Sequence, residues 1–293
     1  MRFFEKRPMV MIVLGVVGIS LSSIFVKYSA APAAVTAAWR LLWTVALMTP
    51  VVWGSGTVRR ELLGVDGKTA VLSAMSGVFL AIHFVLWFES LQHTSVASST
   101  TIVCTEVIWV ALGFCLLLKG RLSPAAIAAI ALSLAGSVMI ALSDSQGGGH
   151  LYGDILALLA AIAVAVYTLI GRIVRQEVST GVYTFIVYVS CAAVLVVTCL
   201  VQGYSLFAYG LSPLVVGLLL ALFSTILGHS IFSWCLKYFS PAFVSASKLC
   251  EPVAAAILAG FLFGEIPGWL QIAGGVLVLL GVLWYSRTES ETK

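Results

Sequence analysis

Ten apolar runs, each close to twenty residues, leave this chain few ways to fold. They lie at about 9–28, 34–53, 69–91, 96–118 and 122–142, then at about 151–171, 180–201, 212–236, 242–263 and 267–286. A helix needs ~20 residues to cross the ~30 Å hydrocarbon core of a bilayer, so each run is long enough to span once. Hydrophobic residues make up 61% of the chain and charged residues 10%, whereas a soluble domain carries roughly 25% charged residues. A chain with so little polar surface cannot face water along most of its length. The expected class is an all-α membrane protein with ten transmembrane helices, and its first partner is the lipid bilayer. The first run resembles a signal peptide in its basic start, but it exceeds the 7–15 residues of a typical signal core. Six cysteines sit inside apolar runs with no CxxC pair and read as small hydrophobes.

The runs fall into two sets of five. Sliding the chain against itself by 145 residues pairs Leu91 with Leu236, Ser95 with Ser240, Glu106 with Glu251 and Gly136 with Gly281. Apolar residues match by chance in such a chain. The glutamate pair does not, because only 12 of 293 residues are acidic. The expected domains are residues 1–143 and 151–287, joined by the glycine-bearing stretch 144–150.

Charge sets the threading. With the N-terminus inside the cell, 13 of the 16 basic residues face the cytoplasm, among them Arg2, Arg59, Lys119, Arg172 and Arg287. This bias predicts that both termini are cytoplasmic in a plasma membrane. Five helices per half is an odd number, so equivalent helices run in opposite directions. The halves are then two inverted-topology five-helix repeats, a transporter architecture with its site near the midplane. The net charge of +4 is explained by this cytoplasmic belt and points to no nucleic-acid partner.

Several residues do not suit lipid. Glu106 lies midway along the fourth run, and on a straight helix Ser99, Trp109 and Gly113 share its face. It reads either as a cavity group that contacts substrate or carries a proton, or as a buried polar contact that fixes packing. Lys248 and Glu251 stand three residues apart, a spacing that predicts a pair along one face. That pairing leaves Glu106 without a basic neighbour. Pro252 follows, removing a backbone N–H, freeing the Lys248 carbonyl and bending the helix. The pair serves either a pathway wall or packing alone. Arg40, eight residues past Pro32, lies roughly 10 Å deep at 1.5 Å per residue. It either snorkels or meets a carboxylate. His83 and Trp87 are one turn apart in the third run, and His229 and Ser233, with Trp234 adjacent, occupy the matching region of the eighth after a one-residue slip. Such a set holds a zwitterion by hydrogen bonds and cation–π contact, or merely packs. Tyr167 in the sixth run joins the candidates. No metal-ligand set, Walker loop or nucleophile elbow is present, so no cofactor is expected and ATP is excluded as a direct energy source.

The segments TSVASSTT, GHSIFSWCLKYFSP and KYFSPAFVSASKLCEPVAAAILAGFLFGE resemble the paired EamA domains of the drug/metabolite transporter (DMT) superfamily, over about 5–143 and 151–287. Within it the chain is similar to YddG-type exporters of amino acids and related metabolites. The resemblance implies a ten-helix inner-membrane exporter with a central cavity walled by helices 1–4 and 6–9, helices 5 and 10 serving as lateral supports. The chain departs from the pattern at LLLKGRLS, where Gly120 lacks a following glutamate, and at TEV in place of a proline-containing turn. Its first run also lacks the membrane glutamate of the single-domain multidrug members, so their proton exchange is not carried over.

The expected function is export of small metabolites, amino acids first, by alternating access, with protons as a candidate coupling ion. A multidrug or quaternary-amine exporter using Trp87, Trp109 and Trp234 as a cation-binding wall is the alternative. An intramembrane enzyme built on His83, Glu106 or Glu251 is the reading from another class. The threading is tested by fusing a reporter after Lys293 or before Met1. It is expected to be active only when the reporter works in the cytoplasm, and a periplasmic signal from either end would overturn it.

Overall fold

A computed structural model describes residues 8–94, 96–144, 151–254, 257 and 268–291. Those residues form helices joined by short turns. Helix α1 runs Pro8–Lys27, with one irregular turn at Leu21. It is followed by α2 (Ala33–Gly54), the short α3 (Gly56–Leu63) and α4 (Gly67–His93). The fourth apolar run is two helices, α5 (Val96–Cys104) and α6 (Glu106–Leu116), and α7 is Pro124–Asp144. The second set opens with α8 (Leu151–Val174) and α9 (Thr180–Val201). Then α10 (Ser212–Leu219) widens into a π-helical stretch, Leu220–His229, before α11 (Ser230–Cys235). The ninth run begins as α12 (Pro241–Ser247), tightens into a 3₁₀ turn at Lys248–Cys250 and resumes as helix from Glu251 to residue 254. The remainder of that run, with the LFGE segment, lies outside the described residues. Helix α13 is Trp269–Glu291.

Local chemistry marks the starts. Ser55, Asp66, Ser179 and Ser240 each accept a hydrogen bond from a backbone N–H in the first turn of the helix that follows, satisfying donors that have no partner within the helix. Pro32 and Pro241 stand at or beside a first turn, where a missing N–H costs nothing. Among the described residues, eight helices are long and apolar enough to cross a membrane, counting α5–α6 as Ser98–Leu116 and α10–α11 as Ser212–Cys235. The apolar part of α7, Pro124–Ile140, is shorter. Their outward faces carry large apolar side chains, among them Val51, Leu116, Leu200 and Leu222, as a lipid-facing surface requires. The protein is therefore a multi-pass membrane protein.

Two apolar cores hold the helices together. One gathers residues of α2, α4, α8 and α9, and the other residues of α1, α7, α11, α12 and α13. Beside them α7 and α13 cross almost backbone to backbone. A Cβ on Gly136 would lie 2.5 Å from the Gly274 carbonyl oxygen, and one on Gly281 would lie 2.8 Å from that of Ala129. Ser133 reaches across to the Val278 carbonyl. These partners show that the two helices run antiparallel. The 145-residue correspondence turns Gly136 into Gly281 and Ala129 into Gly274, so it exchanges the two contacts.

The crossing predicts a position-dependent cost. Gly136→Ile is expected to lower stability by about 1–3 kcal/mol through overpacking, read as a lower melting temperature in detergent. Gly54→Ala, where an added Cβ meets nothing within 4 Å, is expected to change little.

Candidate functional site

Both members of the duplicated glutamate helix are broken immediately before the glutamate, by different means. In the first half the Thr105 hydroxyl donates to the Ile102 carbonyl at 2.6 Å. Side-chain back-bonding of this kind competes with the helix ladder, so α5 stops at Cys104 and α6 starts at Glu106. In the second half Pro252 has no N–H to give the Lys248 carbonyl, as its sequence position predicts. That carbonyl accepts instead from the Glu251 N–H within the 3₁₀ turn and from Cys104 Sγ at 3.8 Å. The two breaks therefore lie against each other.

Their contact decides the ion pairing. Lys248 Nζ donates to Glu106 Oε1 at 2.8 Å, with both side chains buried. The expected Lys248–Glu251 pair does not form. The i,i+3 rule describes one continuous helix, and here the 3₁₀ turn and the crossing aim Lys248 at the opposite half. Glu251 is left buried, with Oε1 unpartnered.

Beside the pair lies a small cavity of about 40 Å³. Arg40, His83, Trp87, Glu106, His229, Lys248 and Glu251 all line it. Arg40 does not snorkel. It is fully buried, donating from Nε to Thr225 Oγ1 at 2.7 Å and from Nη1 to Ser22 Oγ at 3.2 Å, with its guanidinium 4.1 Å from the centre of the Phe84 ring. His83 Nδ1 lies 3.0 Å from the Ala160 carbonyl. A carbonyl only accepts, so Nδ1 carries the proton. His83 stacks on Trp87 at 5.8 Å and meets His229 at 6.5 Å. Tyr167 stands behind them, 6.0 Å from His229 and hydrogen-bonded to Ser233. The π-helical stretch ends on His229, the residue at which the repeat slips by one position, and a π turn has room for an extra residue.

Two expected residues are elsewhere. Trp109 packs with Val110, Ala165 and Leu169 against α8. The face shared with Glu106 was that of a straight helix, and the break at Thr105 dissolves it. Trp234 packs at a tilt against Tyr238, ring centres 4.3 Å apart, outside the cavity lining. Conversely, Thr100 lines the cavity beside Val103, where a straight helix would have favoured Ser99. Ser99 hydrogen-bonds Ser90 instead. Ser22 and Thr225, which hold Arg40, gave no signal beyond being hydroxyls in apolar runs.

Five cavity-lining polar atoms have no partner within the protein: Arg40 Nη2, Trp87 Nε1, Thr100 Oγ1, His229 Nδ1 and Glu251 Oε1. Buried polar groups are nearly always satisfied, and leaving one bare costs about 1–3 kcal/mol. Five around one cavity mark a place built to receive polar atoms.

The two ends of the molecule differ. At the end bearing the α1–α2 turn lies an open vestibule of about 650 Å³, reached by Val26, Thr36, Leu91 and Tyr209. It is one helical turn from the cavity on three helices, since Ser22, Arg40 and Trp87 line the inner space. The other end is bridged by side-chain hydrogen bonds. Arg172 donates to the Leu236 and Phe239 carbonyls, Arg175 donates to those of Ser233 and Val178, and Thr69 donates to Glu177.

The ion pair makes the two glutamates unequal. Glu106→Gln strips Lys248 of its partner and is expected to cost roughly 3–5 kcal/mol, as breaking a buried pair does. Glu251→Gln leaves the pair intact and is expected to melt within a few degrees of the parent. Thermal unfolding in detergent compares them, and equal melting points would show that the pair contributes nothing.

Comparison with known proteins agrees with this architecture. The chain is 24% identical over 246 residues to an uncharacterized transporter of Archaeoglobus fulgidus, covering 83% of each chain. It is 23% identical over 241 residues to an uncharacterized transporter of Clostridium kluyveri, covering 79% of this chain and 77% of that one. A protein of known crystal structure superposes with a TM-score of 0.79 at 17% identity, covering 98% of this chain and 99% of its own. That likeness shows a shared fold. The EamA-like transporter family matches residues 6–142 and 151–287, and the chain belongs to that family.

Proposed function

We propose that this protein is a secondary transporter that exports small polar metabolites, amino acids first, across a bacterial plasma membrane by alternating access. The observation that carries the reading is the cavity with its five unpartnered polar atoms, buried within a membrane protein of a transporter family. In this reading the chain is ten spanning helices in two inverted five-helix repeats. The antiparallel crossing of α7 and α13 supports that arrangement, as does the pair of breaks before Glu106 and Glu251. Substrate is bound by Arg40, His83, Trp87, His229 and Glu251, while Lys248 and Glu106 join the repeats behind it and Tyr167 backs the histidine pair. With both termini in the cytoplasm, the vestibule opens outward and the arginine ties close the inner face. The multidrug reading loses its support, because Trp109 and Trp234 stand away from the cavity.

The test is uptake into liposomes holding the purified protein, run with and without a pH gradient. Labelled amino acids are expected to cross faster than through protein-free vesicles, and a response to the gradient identifies protons as the coupling ion. Movement of a lipophilic cation with no movement of amino acids would overturn the reading.

A further inference from the structure

The charges in the cavity do not cancel in place, and their arrangement selects a ligand. Lys248 and Glu106 neutralise each other at 2.8 Å. Arg40 and Glu251 remain. Arg40 is fully buried, yet its protein partners Ser22 and Thr225 are neutral hydroxyls, and among the described residues it makes no ion pair. A guanidinium has five N–H donors and keeps its charge under all ordinary conditions. Thr225, Ser22 and the Phe84 face hold three sides of it, and Nη2 is left without a partner beside the cavity. Glu251 presents the converse: a buried carboxylate whose Oε1 is bare because the neighbouring lysine is engaged elsewhere.

We infer that Arg40 Nη2 is a carboxylate subsite and Glu251 Oε1 an ammonium subsite of one cavity, so that the transported solute is a small zwitterion bound between the two repeats. The inference rests on the proposed transport function and specifies its substrate. Arg40 comes from the first repeat and Glu251 from the second, so a zwitterion bridges the halves. A simple cation meets Arg40 and a simple anion meets Glu251, and each loses affinity by repulsion as well as by a missing contact. The remaining wall is mixed: Ile19, Val103 and Val164 are apolar, while Trp87 Nε1, Thr100 Oγ1 and His229 Nδ1 offer further unpartnered polar atoms.

The experiment is counterflow into liposomes containing the full chain, with a mixture of the twenty ¹⁴C-labelled L-amino acids as probe. Competitors are the unlabelled parent of each accumulated amino acid, its carboxamide, and its deaminated carboxylic acid. Removing either charged end is expected to weaken competition at least ~10-fold, as loss of a hydrogen bond between charged groups does. In Glu251→Gln, which keeps the Lys248–Glu106 pair, the deaminated acid is expected to compete as well as the parent amino acid, while the carboxamide stays weak. A carboxamide that competes like its parent in the unaltered protein would overturn the Arg40 subsite while leaving amino-acid transport standing. A deaminated acid that does so would overturn the Glu251 subsite. Absence of counterflow by the whole mixture would overturn the transport reading and this inference together.

Discussion

The ion pair between Lys248 and Glu106 is the contact on which the centre of this protein depends. Each residue sits at an interruption in its own helix, where backbone groups have lost their regular partners. Interruptions at membrane depth persist only where they are buried in protein or line a cavity. Here each break covers the other: the Cys104 thiol reaches the Lys248 carbonyl, and the lysine reaches the glutamate that opens α6. Glu106 also stands at a helix N-terminus, where the backbone dipole favours a negative charge. The pair thus closes a seam between the halves and sets the ionic character of everything above it.

With that lysine committed, the rest of the site follows from what has no partner. Arg40 is positioned by hydroxyls from α1 and from the π-helical stretch, rigid enough to be aimed and short of a counter-charge. His83 is locked by a backbone carbonyl of α8, while its counterpart His229 keeps a bare ring nitrogen. The repeats therefore supply similar residue types but unequal bonding, and the asymmetry creates a directed cavity from a duplicated scaffold.

Much of the fold is legible in the sequence because the bilayer makes length and polarity decisive. The runs at 34–53 and 180–201 become Ala33–Gly54 and Thr180–Val201, and Pro252 marks a real interruption. Arg40, His83, Trp87, Glu106, His229, Lys248 and Glu251 stood out as misfits in hydrocarbon, and all of them line one space. The partner of Lys248 was not legible. Helical spacing sees only neighbours on the same helix, and Glu106 is 142 residues away. The break at Thr105 was equally hidden, since a threonine in a helix stops the ladder only if its hydroxyl turns back onto it. Trp109 was misplaced for that reason. The hydroxyls that hold Arg40 are residues common in any membrane helix, and only their three-dimensional convergence singles them out.

The glycine crossing of α7 and α13 has a mechanical meaning. Two backbones meeting at glycines make a close joint that resists compression, pinned across by the Ser133–Val278 hydrogen bond. The contact is carried onto itself when the halves are interchanged, so it behaves as the fixed point of that exchange. In the proposed alternating-access cycle, where one half would take up the shape of the other, such a fixed point would move least, and the cavity would change sides around it.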